Sequence, residues 1–175
     1  EVSETGEVRA AWNQKHAAFG FRQVNDEQNQ QLQEWVAKNI GSGELLLDLF
    51  GGSGNLSRGL VDRFSKVECV DTSVPKEKPK HLPAHYQFHR SSTAAWLQNA
   101  STTTANAVSI ILDPPREGLG SEFSQIERAI TQKFSPKTLL LVGCDPDSFA
   151  RDVSGFIRKG YTLERLGVLD LFPQT

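Results

Sequence analysis

The feature that most constrains the fold is the repeated alternation of strand-like runs with helix-like segments. Five strand-like runs, each short and mostly apolar, are separated by segments of helical periodicity or by loops. They read ELLLDLF, KVECVD, HYQFHR, NAVSIILDPP and KTLLLVGCDP. This alternation predicts an α/β fold, with a mostly parallel sheet and helices on both faces. Sheets of this kind bind ligands at the carboxyl ends of their strands, where the topology reverses.

The remaining segments are interpreted from their helix formers, apolar spacing and prolines. Helices are predicted over residues 25–39, from the glycine loop to Phe64, and over 91–100, 121–134 and 145–160. In the last of these, the residues expected to face inward are Phe149, Val153, Phe156 and Ile157. The proline-containing segment 72–83 is predicted to be a loop, because proline cannot continue a helix. The segment 161–173 is predicted to be a last strand.

Composition limits the classes of partner. The 175 residues include 19 Lys and Arg against 21 Asp and Glu, for a net charge of −2. A nucleic-acid partner would therefore need a local basic patch or a second domain. The two cysteines form no disulfide framework and favour a reducing, cytosolic setting. No apolar run has the ~20 residues of a membrane helix. The chain contains no Met, so it is expected to be a piece of a longer protein.

A glycine loop, GGSGNLS, follows the first predicted strand. Glycines let a backbone turn tightly and approach a ligand without a Cβ clash. Their spacing matches neither the dinucleotide fingerprint nor the phosphate loop with its Lys. This favours a nucleoside such as S-adenosylmethionine, against the alternative of a plain tight turn. Asp71, at the end of the second strand, could accept hydrogen bonds from ribose hydroxyls, or be a solvated strand-end carboxylate.

The segment ILDPPREG is the motif that most specifically indicates a binding site. A buried strand delivers Asp113 to the edge of the sheet, and Pro114 and Pro115 make the following turn rigid. A rigid turn can hold a polar group in place for a flat base and a methyl donor. The alternative is a structural proline turn.

Cys144 follows the fifth strand, between Gly143 and Asp145. A free Cys is most often a small buried hydrophobe. Here the following helix start would favour a thiolate, whereas Asp145 would oppose it. Cys69 lies in mid-strand and is interpreted as inert packing.

Two further clusters carry weaker signals. His81, His85 and His89 have a spacing of four, but Pro83 interrupts them, and a metal site is not predicted. The basic run Lys76, Lys78 and Lys80 is interpreted as a solvated loop, with contact to RNA phosphates as the alternative.

Taken together, five segments resemble the RNA uracil-C5 methyltransferase family, which makes 5-methyluridine in transfer and ribosomal RNA. The resemblance runs from about Phe19 to Thr175. In chain order the segments are FRQVN at 21–25, DLFGGSGN at 48–55, DPPREG at 113–118, VGCDPDSFARD at 142–152 and DLFPQT at 170–175.

The resemblance implies a class I S-adenosylmethionine-dependent methyltransferase fold, which is Rossmann-like. It implies a catalytic domain over residues 21–175, incomplete at its C-terminus, after a lead-in segment over 1–20. An RNA-binding domain of oligonucleotide-binding type is expected N-terminal to it. The cofactor contacts implied are Gln23, Asp48, Phe50, Gly51, Gly52, Gly54, Asp71 and Asp113. Pro114 and Arg116 would contact an rRNA or tRNA substrate, and Cys144 would be the nucleophile.

The sequence departs from the family pattern at four places. The family's general base is a Glu shortly after F-P-x-T, a motif that here ends at Thr175. Asp71 stands where a Glu is common, and a proline-rich stretch replaces an Asn-rich helix after it. The nucleophile segment reads C-D-P-D where C-N-P is usual. Two alternatives therefore stay open: another nucleobase or a protein methyltransferase, or a module of this fold that binds without catalysis.

Overall fold

The computed structural model describes residues 26–101, 105 and 108–170. Five strands form one sheet: β1 (Gly43–Leu49), β2 (Phe64–Asp71), β3 (Tyr86–Arg90), β4 (Val108–Leu112) and β5 (Thr138–Leu141). Their order across the sheet is β3-β2-β1-β4-β5, and all four pairings are parallel. The predicted parallel sheet is confirmed, and it contains five of the six predicted strands. Because the chain moves outward from β1 in both directions, the ends of β1 and β4 adjoin at the switch point.

Helices cover both faces of the sheet. They are α1 (Asp26–Ile40), α2 (Thr93–Asn99), α3 (Phe123–Lys133) and α4 (Pro146–Arg158). Successive side chains of a strand point to opposite faces. Leu45, Leu47 and Leu49 therefore pack with α2, α3 and α4, whereas Leu46 packs with α1 on the other face. Ser92 caps α2 by accepting a hydrogen bond from the Ala95 amide. No described helix is long and apolar enough to cross a membrane.

The helix predicted after the glycine loop is only partly correct. Residues 52–57 form turns, followed by a 3₁₀ helix over Arg58–Arg63 instead of an α-helix. Gly54 has a φ of 83°, and its carbonyl accepts from the Arg58 amide at 3.0 Å. Glycine disfavours regular helix, and Phe64 already begins β2. The short segment between them forms a tighter helix.

Two other predictions near the C-terminus are wrong for the described residues. Residues 161–170 contain no strand, and their side chains include exposed Leu163, Leu166 and Val168. The segment instead passes α1, where the Arg165 guanidinium donates to Asn39 Oδ1 at 2.9 Å. Ile157, expected to face inward, is 47% exposed because α4 turns Phe156 toward the sheet. The predicted loop over 72–83 is confirmed.

Candidate functional site at the carboxyl edge of the sheet

Backbone hydrogen bonds hold the loops at the carboxyl edge of the sheet beside one another. The Gly51 amide donates to the Val70 carbonyl at 3.1 Å, and the Asp113 amide donates to the Leu49 carbonyl at 3.2 Å. The Val142 amide donates to the Leu112 carbonyl at 2.8 Å. These bonds continue the parallel pairing past the strand ends. The loops after β1, β2, β4 and β5 are therefore held at one edge.

The glycine loop adopts backbone conformations that few side chains tolerate. Phe50 has a φ of 62°, an uncommon value for a residue with a Cβ. Gly52 and Gly54 also have positive φ values, 53° and 83°. A Cβ on Gly54 would lie 2.2 Å from the Tyr86 hydroxyl, and one on Gly51 would lie 2.6 Å from Cys69 Sγ. The loop thus lies directly on the sheet, and only glycine fits at these two positions.

A buried polar network supports the glycine loop from beneath. Asp48 is fully buried and accepts a hydrogen bond from the Ser57 hydroxyl. Ser57 Oγ also lies 2.7 Å from the Tyr86 hydroxyl. The second carboxyl oxygen of Asp48, Oδ1, has no hydrogen-bond partner among the described residues. Asp48 was predicted to contact a cofactor. In this structure its side chain is covered by protein, and it holds the loop.

Burial raises the pKa of Asp48 from 3.8 to about 7, opposed by the hydrogen bond from Ser57. Burial also raises the pKa of the Cys69 thiol well above its usual value. A thiol that stays protonated in the core is unreactive, in agreement with the interpretation of Cys69 as packing.

The free energy of unfolding is expected to fall as the pH rises from about 4 to about 7. Between the ordinary and the raised pKa of Asp48, the folded chain holds a proton that the unfolded chain has lost. Asp48→Asn should remove the part of this dependence that comes from Asp48, on the order of 4 kcal/mol, and leave the smaller part that comes from Asp113. Urea unfolding across this pH range measures it, with the exposed Asp62→Asn as control. An unchanged pH profile in Asp48→Asn would show that this carboxyl titrates normally.

Two more carboxylates stand at the same edge. Burial, and then the charge of Asp71, raise the pKa of Asp113 to about 6. Asp71 Oδ1 accepts from the amide and the hydroxyl of Ser73, at 2.7 and 2.6 Å. Asp71 is therefore held by its own turn, and Asp113 is held by β4. Both lie close enough to Asp48 to raise its pKa. The carboxyl edge therefore combines acidic groups with the glycine loop, whose backbone we call the donor cradle.

Cys144 is exposed at the start of α4. Gly143 before it packs against Phe149, where a Cβ would lie 2.8 Å from Cδ2 of the ring. Asp145 after it is the N-cap of α4, because its carboxylate accepts from the Ser148 amide at 2.8 Å. That bond holds the pKa of Asp145 below its usual value. The carboxylate expected to oppose a thiolate thus points to the amides that begin the helix.

Hydrogen bonds from helix α4 connect the Asp113–Gly118 turn to the loop that contains Cys144. The Ser148 hydroxyl donates to the Arg116 carbonyl at 2.7 Å. Buried Asp152, one helical turn later, accepts from the Leu119 amide at 2.7 Å. Gly118 lies so close to Asp152 that a Cβ added to the glycine would be 2.3 Å from Asp152 Oδ2. The positions of the two motifs therefore depend on one another through a single rigid helix.

Asp152→Ala is expected to lower the free energy of unfolding by about 2–3 kcal/mol, because it leaves the Leu119 amide buried without a partner. Asp147→Ala is the matched control, since Asp147 lies in the first turn of the same helix and is exposed. Its effect should stay below about 1 kcal/mol. Urea unfolding of both variants checks this. Equal effects would mean that the contact of Asp152 with Leu119 adds nothing.

The structure brings nearly all the predicted site residues to one edge of the sheet. Gln23 lies outside the described residues. Asp48 and Asp71 lie at the carboxyl ends of β1 and β2, and the rest follow β1, β4 or β5: Phe50, Gly51, Gly52, Gly54, Asp113, Pro114, Arg116 and Cys144. Arg116 is exposed beside Asp145, and its charge helps to lower the pKa of that carboxyl.

Four residues that support the loops of the site were not predicted from the sequence: Ser57, Tyr86, Ser148 and Asp152. Ser148 and Asp152 carried a usable signal, because they are polar residues four apart in a helix that is otherwise apolar on one face. Among the described residues no group of three His, Cys, Asp or Glu could hold a metal ion. His89 bonds to Glu68, and His85 bonds to the Val61 carbonyl.

The sheet order and the glycine loop define the class I methyltransferase fold. The structure of Pyrococcus abyssi tRNA (uracil-54, C5)-methyltransferase in complex with S-adenosyl-L-homocysteine has a TM-score of 0.56 to this chain. It is 24% identical over 77% of this chain and 33% of that one. Precorrin-6y C5,15-methyltransferase from Geobacter metallireducens has a TM-score of 0.58, with 12% identity, over 84% of this chain and 78% of that one. The predicted fold is confirmed.

Two sequence relatives of the chain are rRNA uracil-C5 methyltransferases. The 23S rRNA (uracil(1939)-C(5))-methyltransferase RlmD of Pseudomonas savastanoi is 33% identical, over 87% of this chain and 34% of the relative. The same enzyme of Shewanella denitrificans is 33% identical, over 89% and 35%. The resemblance to RNA uracil-C5 methyltransferases is confirmed, and the chain spans about a third of the length of these relatives. No protein-family model matches the sequence.

Proposed function

We propose that this chain binds S-adenosylmethionine and carries the nucleophile of an RNA uracil-C5 methyltransferase. The observation that supports this most is the coupling of two motifs by α4. Ser148 and Asp152 tie the Asp113–Gly118 turn to the helix that begins beside Cys144. A methyl donor and a covalently held base must meet at fixed geometry, and this connection provides a rigid frame for it.

The residues of the glycine loop fit the donor. When bound, S-adenosylmethionine supplies a methyl group on a positively charged sulfur. A Cβ on Gly52 would have no other atom within 4 Å, so a ligand can approach the backbone of the loop there. Asp113 and Asp71 supply carboxylates beside this cradle, and carboxylates suit both ribose hydroxyls and positive charge. Gln23, Phe50 and Gly52 complete the proposed contacts.

Cys144 is the proposed nucleophile. Its thiolate adds to C6 of the uracil, forming an S–C6 bond while the C5–C6 π electrons move toward O4. C5 then bonds to the methyl carbon as the carbon–sulfur bond of the donor breaks, and the electron pair stays on the departing sulfur. A base removes the C5 proton, the C5–C6 double bond re-forms, and the Cys144 thiolate leaves. The family pattern assigns this base to a Glu shortly after F-P-x-T.

The proposed partner is a uridine in rRNA or tRNA that leaves its stack to reach Cys144. Pro114 and Arg116 are proposed to contact it, since both belong to the turn that α4 holds. The proposal also includes a catalytic domain over residues 21–175, an RNA-binding domain N-terminal to it, and a cytoplasmic location.

Calorimetric titration with S-adenosylhomocysteine tests the proposal first. The unmutated chain should bind, and Asp113→Ala should bind roughly tenfold or more weakly, because it removes a partly buried carboxylate beside the glycine loop. Glu117→Ala is the matched control: an exposed carboxylate of the same turn. No binding by the folded, unmutated chain would contradict a formed donor site.

A further inference from the structure

A cleft of about 390 Å³ lies between the β2–β3 loop and the outermost strand, β3. The residues that line it include three with cationic side chains, Lys76, Lys78 and Arg90, and the partly buried Phe88. No Asp or Glu lines it. A chain with a net charge of −2 thus places three positive groups around one concave surface.

Two of these cations are held in place by backbone carbonyls. Lys78 Nζ donates to the Pro83 carbonyl at 2.7 Å and to the Tyr86 carbonyl at 2.9 Å. The Arg90 guanidinium donates to the carbonyls of Thr72 and Val74. Neutral partners leave the positive charges uncompensated. None of the three cations forms an ion pair with a carboxylate in the described ranges.

The cleft adjoins the carboxyl edge that carries the proposed active site. Arg90 pairs with Asp71 in the β2–β3 register, and the Ser91 amide donates to the Asp71 carbonyl at 3.2 Å. The proline-rich connection over 72–85 between β2 and β3 contains no helix. An anion bound in the cleft would therefore lie on the same edge of the sheet as the donor cradle.

We propose that this cleft binds the phosphate backbone of a single-stranded RNA segment several nucleotides from the target uridine, because β3 and β5 are the two outer strands of the sheet. The inference rests on the proposed function, which supplies the RNA. Lys76 makes no hydrogen bond to a described residue, and Lys78 and Arg90 retain N–H groups beyond those bonded to carbonyls. Cations fixed before binding contact phosphates at little entropic cost. The volume of about 390 Å³ lies in the range of small-ligand pockets, so a single sugar-phosphate strand fits it.

Fluorescence anisotropy of a labelled oligouridine over a salt series tests the proposal on the 175-residue chain. Lys76→Gln should weaken binding roughly threefold to tenfold at low salt, and should reduce the slope of log K against log salt by about one. Lys137→Gln is the matched control. Lys137 is also exposed, but it precedes β5 at the opposite, amino edge of the sheet, and its replacement should change neither quantity. Lys76→Gln should leave the melting temperature unchanged, since Lys76 bonds to nothing described.

Three results would contradict the proposed RNA site. They are no oligouridine binding by the unmutated chain, an affinity and salt slope of Lys76→Gln equal to those of the unmutated chain, or a loss of affinity in Lys137→Gln equal to that in Lys76→Gln. If Lys76→Gln lost S-adenosylhomocysteine binding and kept RNA binding, the cleft would be part of the donor site, and the proposed RNA site would be wrong. Failure of the proposed function is distinguishable. It would appear as no S-adenosylhomocysteine binding in the unmutated chain, whatever the cleft variants do.

Discussion

Replacing Cys144 by alanine is expected to abolish covalent capture of RNA that contains 5-fluorouridine. In the proposed reaction the Cys144 thiolate bonds to C6, and the adduct breaks down only after the C5 substituent leaves as a proton. Fluorine cannot leave in that way, so the S–C6 bond persists. The unmutated chain, with donor and RNA, should give a slower band in denaturing electrophoresis. Cys144→Ala should give none, because no other described thiol is exposed.

Cys69→Ala is the control for this experiment. It also removes a thiol, but Cys69 is buried beneath the glycine loop, and burial raises the pKa of its thiol. Capture by Cys69→Ala should therefore equal that of the unmutated chain once the fraction of folded protein is matched. Capture by Cys144→Ala would refute the assigned nucleophile. Absence of capture by an unmutated chain that binds S-adenosylhomocysteine would favour a module that binds without catalysis.

Gly54→Ala is expected to destabilise the chain by about 2–4 kcal/mol and to weaken donor binding. An alanine at a φ of 83° adopts a left-handed conformation that costs about 1–2 kcal/mol. Its Cβ would also lie 2.2 Å from the Tyr86 hydroxyl. Tyr86 must then move and break its contact with Ser57, which adds about 1–2 kcal/mol. Urea unfolding and calorimetry with S-adenosylhomocysteine measure the two effects.

Gly59→Ala is the matched control for Gly54→Ala. Gly59 lies in the 3₁₀ helix after the same loop and is exposed, and a Cβ added there would have no other atom within 4 Å. Alanine there should leave stability within about 0.5 kcal/mol or raise it slightly, since it restricts the unfolded chain. A Gly54→Ala variant as stable as Gly59→Ala would show that the glycine loop does not pack on Tyr86 as described.

Local sequence pattern was sufficient to predict the strands of the sheet and most of the residues at its carboxyl edge. Each strand was visible as a short run between breakers, and ligand groups of parallel sheets follow the strand ends. Asp71, Asp113 and Cys144 could therefore be assigned to one edge without knowledge of the strand order. The 3₁₀ helix after the glycine loop and the absence of a strand over 161–170 were not predictable in this way. Helix type and strand pairing depend on neighbours that are distant in sequence.

The sequence by itself determined the parallel α/β architecture, the glycine loop and the likeness to RNA uracil-C5 methyltransferases, because these depend on residue type and local spacing. Only the tertiary structure decided how the motifs are held. It turned Asp48 inward onto Ser57, and it directed Asp152 of α4 to the Leu119 amide. It also gathered Lys76, Lys78 and Arg90 around one cleft. Burial and contact between residues far apart in the chain arise from packing, which no local pattern encodes.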